Sequence, residues 1–123
     1  TKIFAIQNCI YEEVLFLDGD NIPVRDPTYL FDDPAYRAHG AMFWPDLPPN
    51  SRAEWLPKEV WDSIGMHKQP EYIDFESGQL LINKRVCWKA INVCRLINEF
   101  SDYWYRLVFG DKSTFHLAWQ KLG

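Results

Sequence analysis

The sequence predicts an α/β fold, and three observations carry that expectation. Two short apolar runs, Glu13–Leu17 and Gln79–Asn83, are bounded by turn-forming residues and read as buried strands. Segments with helical spacing alternate with them, above all Arg85–Phe100. With 47% apolar and 16% aromatic residues in a chain of 123, one domain can bury a real core, while two domains cannot.

The elements follow in order. Lys2–Ile10 is mostly apolar without strict alternation and is expected to form a short helix ending near Asn8. Glu13–Leu17 is a strand that runs into the turn-prone Asp18-Gly19-Asp20-Asn21, so both carboxylates fall beyond its carboxyl end, where open sheets gather ligands. Residues 22–40 are punctuated by Pro23, Pro27, Pro34 and Gly40. Asp26-Pro27 and Asp33-Pro34 each pair a capping carboxylate with a first-turn proline and open two short helices. Ala41–Trp44 is a further short strand, and residues 45–57, with four prolines, are expected to form an ordered surface loop. Pro57–Ile64 sets Val60, Trp61 and Ile64 at helical spacing before Gly65 stops it. In Arg85–Phe100 the stripe Val86, Ala90, Val93, Ile97 and Phe100 faces a core, with Cys87, Ile91 and Cys94 beside it. Arg85, Lys89, Asn92, Arg95 and Glu99 lie opposite. Ser101 or Asp102 caps a helix over Tyr103–Phe109, Gly110 breaks it, and Asp111 caps a last helix, Lys112–Leu122. No internal repeat or low-complexity segment interrupts the chain.

Net charge is −4 and the basic residues form no stripe, which argues against nucleic acid or an anionic membrane as the main partner. No signal peptide or membrane-spanning run is present, but the chain starts at Thr1 directly in an apolar segment and reads as a piece of a longer protein. Cys87 and Cys94 are seven residues apart on one helix, about 10 Å along its axis. That is beyond disulfide reach. Cys9 is free to pair with either, though three buried or free thiols is the plainer reading, and no Cys/His cluster suggests zinc.

The chemistry centres on Asp18 and Asp20. Two carboxylates one residue apart in a turn converge on one hard cation, and Mg²⁺ or Mn²⁺ typically takes one or two carboxylates plus substrate phosphates. Such a cation stabilises a diphosphate leaving group as a glycosidic bond breaks. The alternative is an acidic turn capping its own backbone, and Asp-x-Asp alone does not separate the two. An EF-hand loop is excluded, because Ile22 and Pro23 stand where it needs Asp or Asn and Gly. A haloacid-dehalogenase-type phosphatase would use Asp18 as phosphoryl nucleophile and Lys84 after a later strand, but no acidic pair closes a later strand. Glu76-Ser77-Gly78-Gln79 is a second candidate, able to hold sugar hydroxyls or act as base or nucleophile, or else a polar turn with a satisfied Glu. In Gly110-Asp111-Lys112, beyond the helix cap, Asp111 can reach a sugar hydroxyl and Lys112 a phosphate. Trp44 near Asp46 can stack on a sugar ring, though most of six Trp belong in a core. His116, near Phe115 and Trp119, is a metal-ligand candidate better read as an ordinary helix residue, and His39 and His67 lie in loops.

Taken together, five stretches resemble the fungal Golgi α-mannosyltransferases that extend cell-wall mannan and protein-linked glycans. They are residues 13–23 with the Asp-x-Asp, 26–31, Gly40–Asp46, Glu76–Lys84, and Gly110–Phe115 with Ala118-Trp119. Gly19 departs from the family's usual Asp-Ala-Asp but leaves both carboxylates. The resemblance implies a GT-A type nucleotide-sugar transferase core with a mixed sheet flanked by helices, here a single partial catalytic domain over residues 1–123. Its metal and donor motif would be 13–23, its acceptor-side motif 76–84 and its C-terminal helices 85–122. It implies Mn²⁺ (or Mg²⁺) on Asp18 and Asp20, GDP-mannose as donor, and a glycan as acceptor. Asp18, Asn21, Trp44, Gln79 and Lys112 would contact donor or acceptor, and Glu76 and Asp111 would take catalytic roles. It further implies retention of anomeric configuration and a type II membrane protein in the Golgi lumen. A nucleotide-binding half is expected before Thr1 and a metal-binding His after Gly123. A transferase-like domain without activity is the non-enzymatic alternative.

Overall fold

Leu80, Leu81 and Ile82 are consecutive and all apolar, so no alternation can send one of them to water; the chain covers both sides of their strand instead, leaving all three at 0% exposure. The computed structural model describes residues 1–46, 56–67 and 75–123. In it β1 (Glu13–Leu17), β2 (Ala41–Pro45) and β3 (Phe75–Asn83) form a three-stranded sheet in the order β1-β3-β2. Both pairings are antiparallel, so among the described residues the sheet is not mixed as the resemblance implied. Glu13 lies opposite Asn83 and Leu17 opposite Gln79; between β2 and β3 the register shifts between Met42 and Trp44.

Helices seal one face. Ile3 and Ile6 of α1 (Lys2–Asn8), Ile91 and Cys94 of α4 (Trp88–Glu99), and Phe115 and Ala118 of α6 (Lys112–Leu122) pack with Leu80 and Ile82, and Phe16, Ala41 and Phe43 join them. A second cluster adds Val60 and Trp61 of α3 (Lys58–Ser63) to Ile97, Trp104, Val108 and Leu117. Among the described residues the other face is half covered. There α2 (Pro34–His39) buries Tyr36, whose hydroxyl donates to Glu13 Oε1 at 3.0 Å.

Local chemistry sets most ends as expected. Asp26 accepts from the Thr28 N–H and opens a 3₁₀ helix, Pro27–Asp32. Asp33 accepts from the Ala35 N–H, and Gly40 at φ 72° closes α2 in the left-handed conformation.

Three expectations change. α4 begins at Trp88, not Arg85, because the Asn83 side chain accepts from the N–H groups of Arg85 and Val86 and holds the first turn open. Ala90 and Ile97 of the expected stripe are buried together with Cys87, Ile91, Cys94 and Asn98, but its end members Val86 and Phe100 are 63% and 60% exposed. The helix over Tyr103–Phe109 shrinks to α5 (Ser101–Trp104), and the following residues form turns in which Tyr105 donates to the buried Asn98 Oδ1 at 2.6 Å. The plainer reading of the cysteines holds: all three are free thiols, with burial pushing Cys94 up to about 12 and Cys87 upward from its ordinary value. The proline-rich loop lies largely outside the described residues, at 47–55.

Candidate functional site

The turn after β1 is built by the strand's own ladder. The Asp18 N–H still donates to the Gly78 carbonyl at 2.8 Å, and the Asn21 N–H closes the turn on the Asp18 carbonyl at 2.9 Å. Gly19 and Asp20 are left at its exposed tip. Gly19 is not in the left-handed region, and a Cβ there would meet nothing within 4 Å. The Ala expected at this position therefore fits the same turn.

Asp18 is half-buried and meets a residue that no motif marks. Lys2, the first residue of α1, sets its ammonium 2.6 Å from Asp18 Oδ2 and donates to the Ser77 carbonyl and hydroxyl, both at 3.0 Å. The Lys2 backbone N–H faces Asp111 Oδ2 at 3.4 Å. One residue thus joins all three sequence motifs, 13–23, 76–84 and 110–115. The sequence holds a faint signal for it: a lysine in a helix's first turn opposes the helix dipole, so its partner must come from elsewhere.

Asp111 stands at the N-terminal boundary of α6 but makes no side-chain cap. Its carboxylate is turned to Lys2, and its carbonyl instead accepts from the Thr114 N–H at 3.1 Å and hydroxyl at 2.5 Å. Lys112 pairs with Asp46 across the fold. Glu76 Oε1 accepts from the N–H groups of Ser77 and Gly78 at 2.8 and 2.9 Å, which fixes that carboxylate in place.

Gly78 is a close approach rather than a hinge. A Cβ there would lie 2.2 Å from Asn21 Nδ2, so only glycine lets the Asn21 amide rest on β3. Asn21 then turns into a cleft of about 350 Å³ on the half-covered face, floored by Leu15 and Leu17 and walled by Trp44 and Gln79. The structure therefore divides the expected site residues. Asp18, Asp111 and the Ser77 neighbour of Glu76 meet through Lys2, while Asn21, Trp44 and Gln79 share the cleft. Asn21 touches both groups.

Asp20 is exposed and has no hydrogen-bond or ion-pair partner among the described residues. The donor set of the turn, two carboxylates of which one is open to solvent, fits a hard divalent cation that takes its other ligands from phosphate. Among the described residues no group of three or more His, Cys, Asp or Glu forms an all-protein cage. His116 is core: it is 7% exposed and stacked on Phe75 at 5.1 Å, and desolvation pushes its pKa down to about 3.

The phosphatase arrangement does not assemble. Antiparallel pairing carries Lys84 to the start of β1, where its N–H meets the Glu12 carbonyl and its ammonium the carbonyls of Gln7 and Cys9. Asp18 is at the strand's other end, five residues and about 17 Å from Glu13 at the usual rise.

The sequence model of the family described as "Mannosyltransferase putative" matches residues 1–62. Alpha-1,2-mannosyltransferase MNN24 of Candida albicans is 28% identical over an alignment covering 98% of this chain and 22% of that protein. Alpha-1,2-mannosyltransferase MNN2 of Saccharomyces cerevisiae is 26% identical over 95% of this chain and 26% of its own length. MNN2 of Candida albicans is 40% identical over 37% of this chain and 8% of that protein. The chain thus spans about a quarter of the length of curated relatives that match nearly all of it. No solved structure matches. No helix among the described residues is long and apolar enough to cross a membrane.

Proposed function

The chain belongs to this mannosyltransferase family, and on that premise we propose that the whole protein transfers mannose from GDP-mannose to a glycan acceptor. In this reading residues 1–123 supply part of a GT-A type catalytic domain, and the protein works in the Golgi lumen as a type II membrane protein. The observation that carries the reading is the Asp18–Asn21 turn, fixed by the Gly78 carbonyl and the Lys2 ammonium while Asp20 stays open to solvent.

Asp18 and Asp20 would hold Mn²⁺ or Mg²⁺ together with the donor diphosphate. Bound there, the cation supplies Lewis-acid stabilisation of the leaving group. Lys2 orients Asp18 and keeps the site's carboxylates from repelling one another; its ammonium also adds a second positive charge close to where the diphosphate gathers negative charge. Asp111, held against the start of α1, and Glu76, pinned through one oxygen, are the carboxylates available to the reacting sugars.

Mn²⁺-dependent GDP-mannose binding, measured by calorimetry on the whole protein and on Asp20→Asn, tests this directly. The variant is expected to lose donor binding at unchanged melting temperature, because Asp20 is exposed and makes no hydrogen bond or ion pair among the described residues. Equal metal-dependent binding by both proteins would remove the site assignment.

A further inference from the structure

The cleft on the half-covered face is chemically unlike the carboxylate turn beside it. Among the described residues no Asp or Glu lines it, and the charged residue in its wall is Arg25, whose guanidinium lies 4.2 Å above the centre of the Tyr29 ring. Trp44 offers an aromatic surface, and Asn21 and Gln79 bring two side-chain amides that both donate and accept. Val24, on the arm that forms the cleft's lip, is fully exposed, and Tyr29 is half exposed, so apolar surface stands unburied around the opening. A volume of about 350 Å³ is within the range of small-ligand sites.

We propose that this cleft is the subsite for a neutral pyranose unit of the acceptor glycan. The proposal rests on the transferase reading above and adds the acceptor's place, with Arg25 and Tyr29 as binding residues that the motifs do not mark. The match is one of surfaces. A pyranose has an apolar C–H face that stacks on Trp or Tyr and a rim of hydroxyls that both donate and accept, as the two amides require. A diphosphate would leave the apolar walls unused and, among the described lining residues, would find one cation, Arg25, to neutralise it. The position of Asn21 separates an acceptor sugar from a donor base. Asn21 lines the cleft and closes the Asp18 turn, so the cleft abuts the place of the diphosphate. A nucleotide's base is held away from its outer phosphate by ribose and the inner phosphate, whereas the acceptor hydroxyl must approach the bond being broken.

The test uses the whole protein with mannobiose and, separately, GDP as probes, in Tyr29→Ala, Arg25→Ala and Gln79→Ala variants. The first two residues are exposed or half exposed, so their truncation leaves the core intact, and melting curves check this. The expected result is a tenfold or larger loss of mannobiose affinity for Tyr29→Ala and Gln79→Ala, a smaller loss for Arg25→Ala, and unchanged GDP affinity. Unchanged mannobiose binding in all three overturns the subsite. A selective loss of GDP affinity overturns it too and makes the cleft a base pocket. Either failure, with Asp20→Asn still losing the donor, leaves the transferase reading standing; a wild-type protein that binds neither probe removes both.

Discussion

The two faces of the small sheet solve opposite problems. One is closed by α1, α4 and α6 into a continuous apolar cluster in which Leu80, Ile82, Ile91 and Phe115 are fully buried. The other is capped at one end by Tyr36 and, among the described residues, open at the other, where Leu15 and Leu17 floor a cleft beside a carboxylate turn. The contrast shows how so short a piece of chain holds a polar turn in fixed geometry: packing on the sealed face anchors β3, and β3 in turn anchors the turn through the Gly78 carbonyl. Lys2 belongs to both, since its helix packs in the core while its ammonium serves the turn.

That division is broken most severely from the sealed side. Leu80→Ala is expected to cost about 2–5 kcal/mol, the usual range for emptying a packed leucine site. The corresponding change at the partly exposed Leu15 is expected to cost less than half as much. Chemical denaturation of both variants measures the difference, and equal costs would show that the open face is as tightly packed as the closed one.

Acid should attack the same sealed side. The His116 imidazole titrates near 6.5 when unfolded and near 3 when buried, so the unfolded chain binds the extra proton between these values. Stability is therefore full above about pH 6.5 and falls as pH drops toward 3, by on the order of a few kcal/mol. His116→Phe, which can keep the stack on Phe75, is expected to flatten this slope in pH-dependent melting; an unchanged slope would move the effect to other groups.

Lys2→Met sharpens the comparison at its junction. It keeps an apolar stem in α1 but removes the ion pair with Asp18 and both hydrogen bonds to Ser77. Mannosyl transfer is expected to fall about tenfold while stability falls by about 1–2 kcal/mol. Lys2→Arg, with a different donor geometry, should recover stability better than turnover. A pure stability loss with normal turnover would make Lys2 structural only.

The smallest effects come from two glycines near the turn. Gly78→Ala forces the Asn21 amide away from β3 and is expected to weaken donor and acceptor binding together, with a modest drop in melting temperature. Gly19→Ala meets open space at an ordinary φ and is expected to change stability by less than about 1 kcal/mol, with activity retained. A large effect of the second would mean that the tip of the turn moves during turnover.

Much of this was legible in the chain. The helix from Lys2 to Asn8, the strand from Glu13 to Leu17 and the last helix from Lys112 to Leu122 were readable from patterning and from the turn-forming residues between them. The two Asp-Pro openings and the closing Gly40 were readable for the same reason: each is an interaction between residues two to four apart. The motif order also carried the family, because family identity resides in spacing along the chain. What the sequence did not contain was distance in space. The start of α4 depended on a local bond from Asn83 that competes with the helix and leaves Val86, like Phe100 at the far end, outside it and exposed. The antiparallel register alone sent Lys84 away from Asp18. Lys2 reaches Asp18 across 16 residues, Ser77 across 75 and Asp111 across 109, and Lys112 reaches Asp46 across 66. Such pairings follow from how β3 and the helices pack around it, so the sequence by itself determined which carboxylates stand in the turn, and only the tertiary structure decided which cation holds Asp18 and which residues share the cleft.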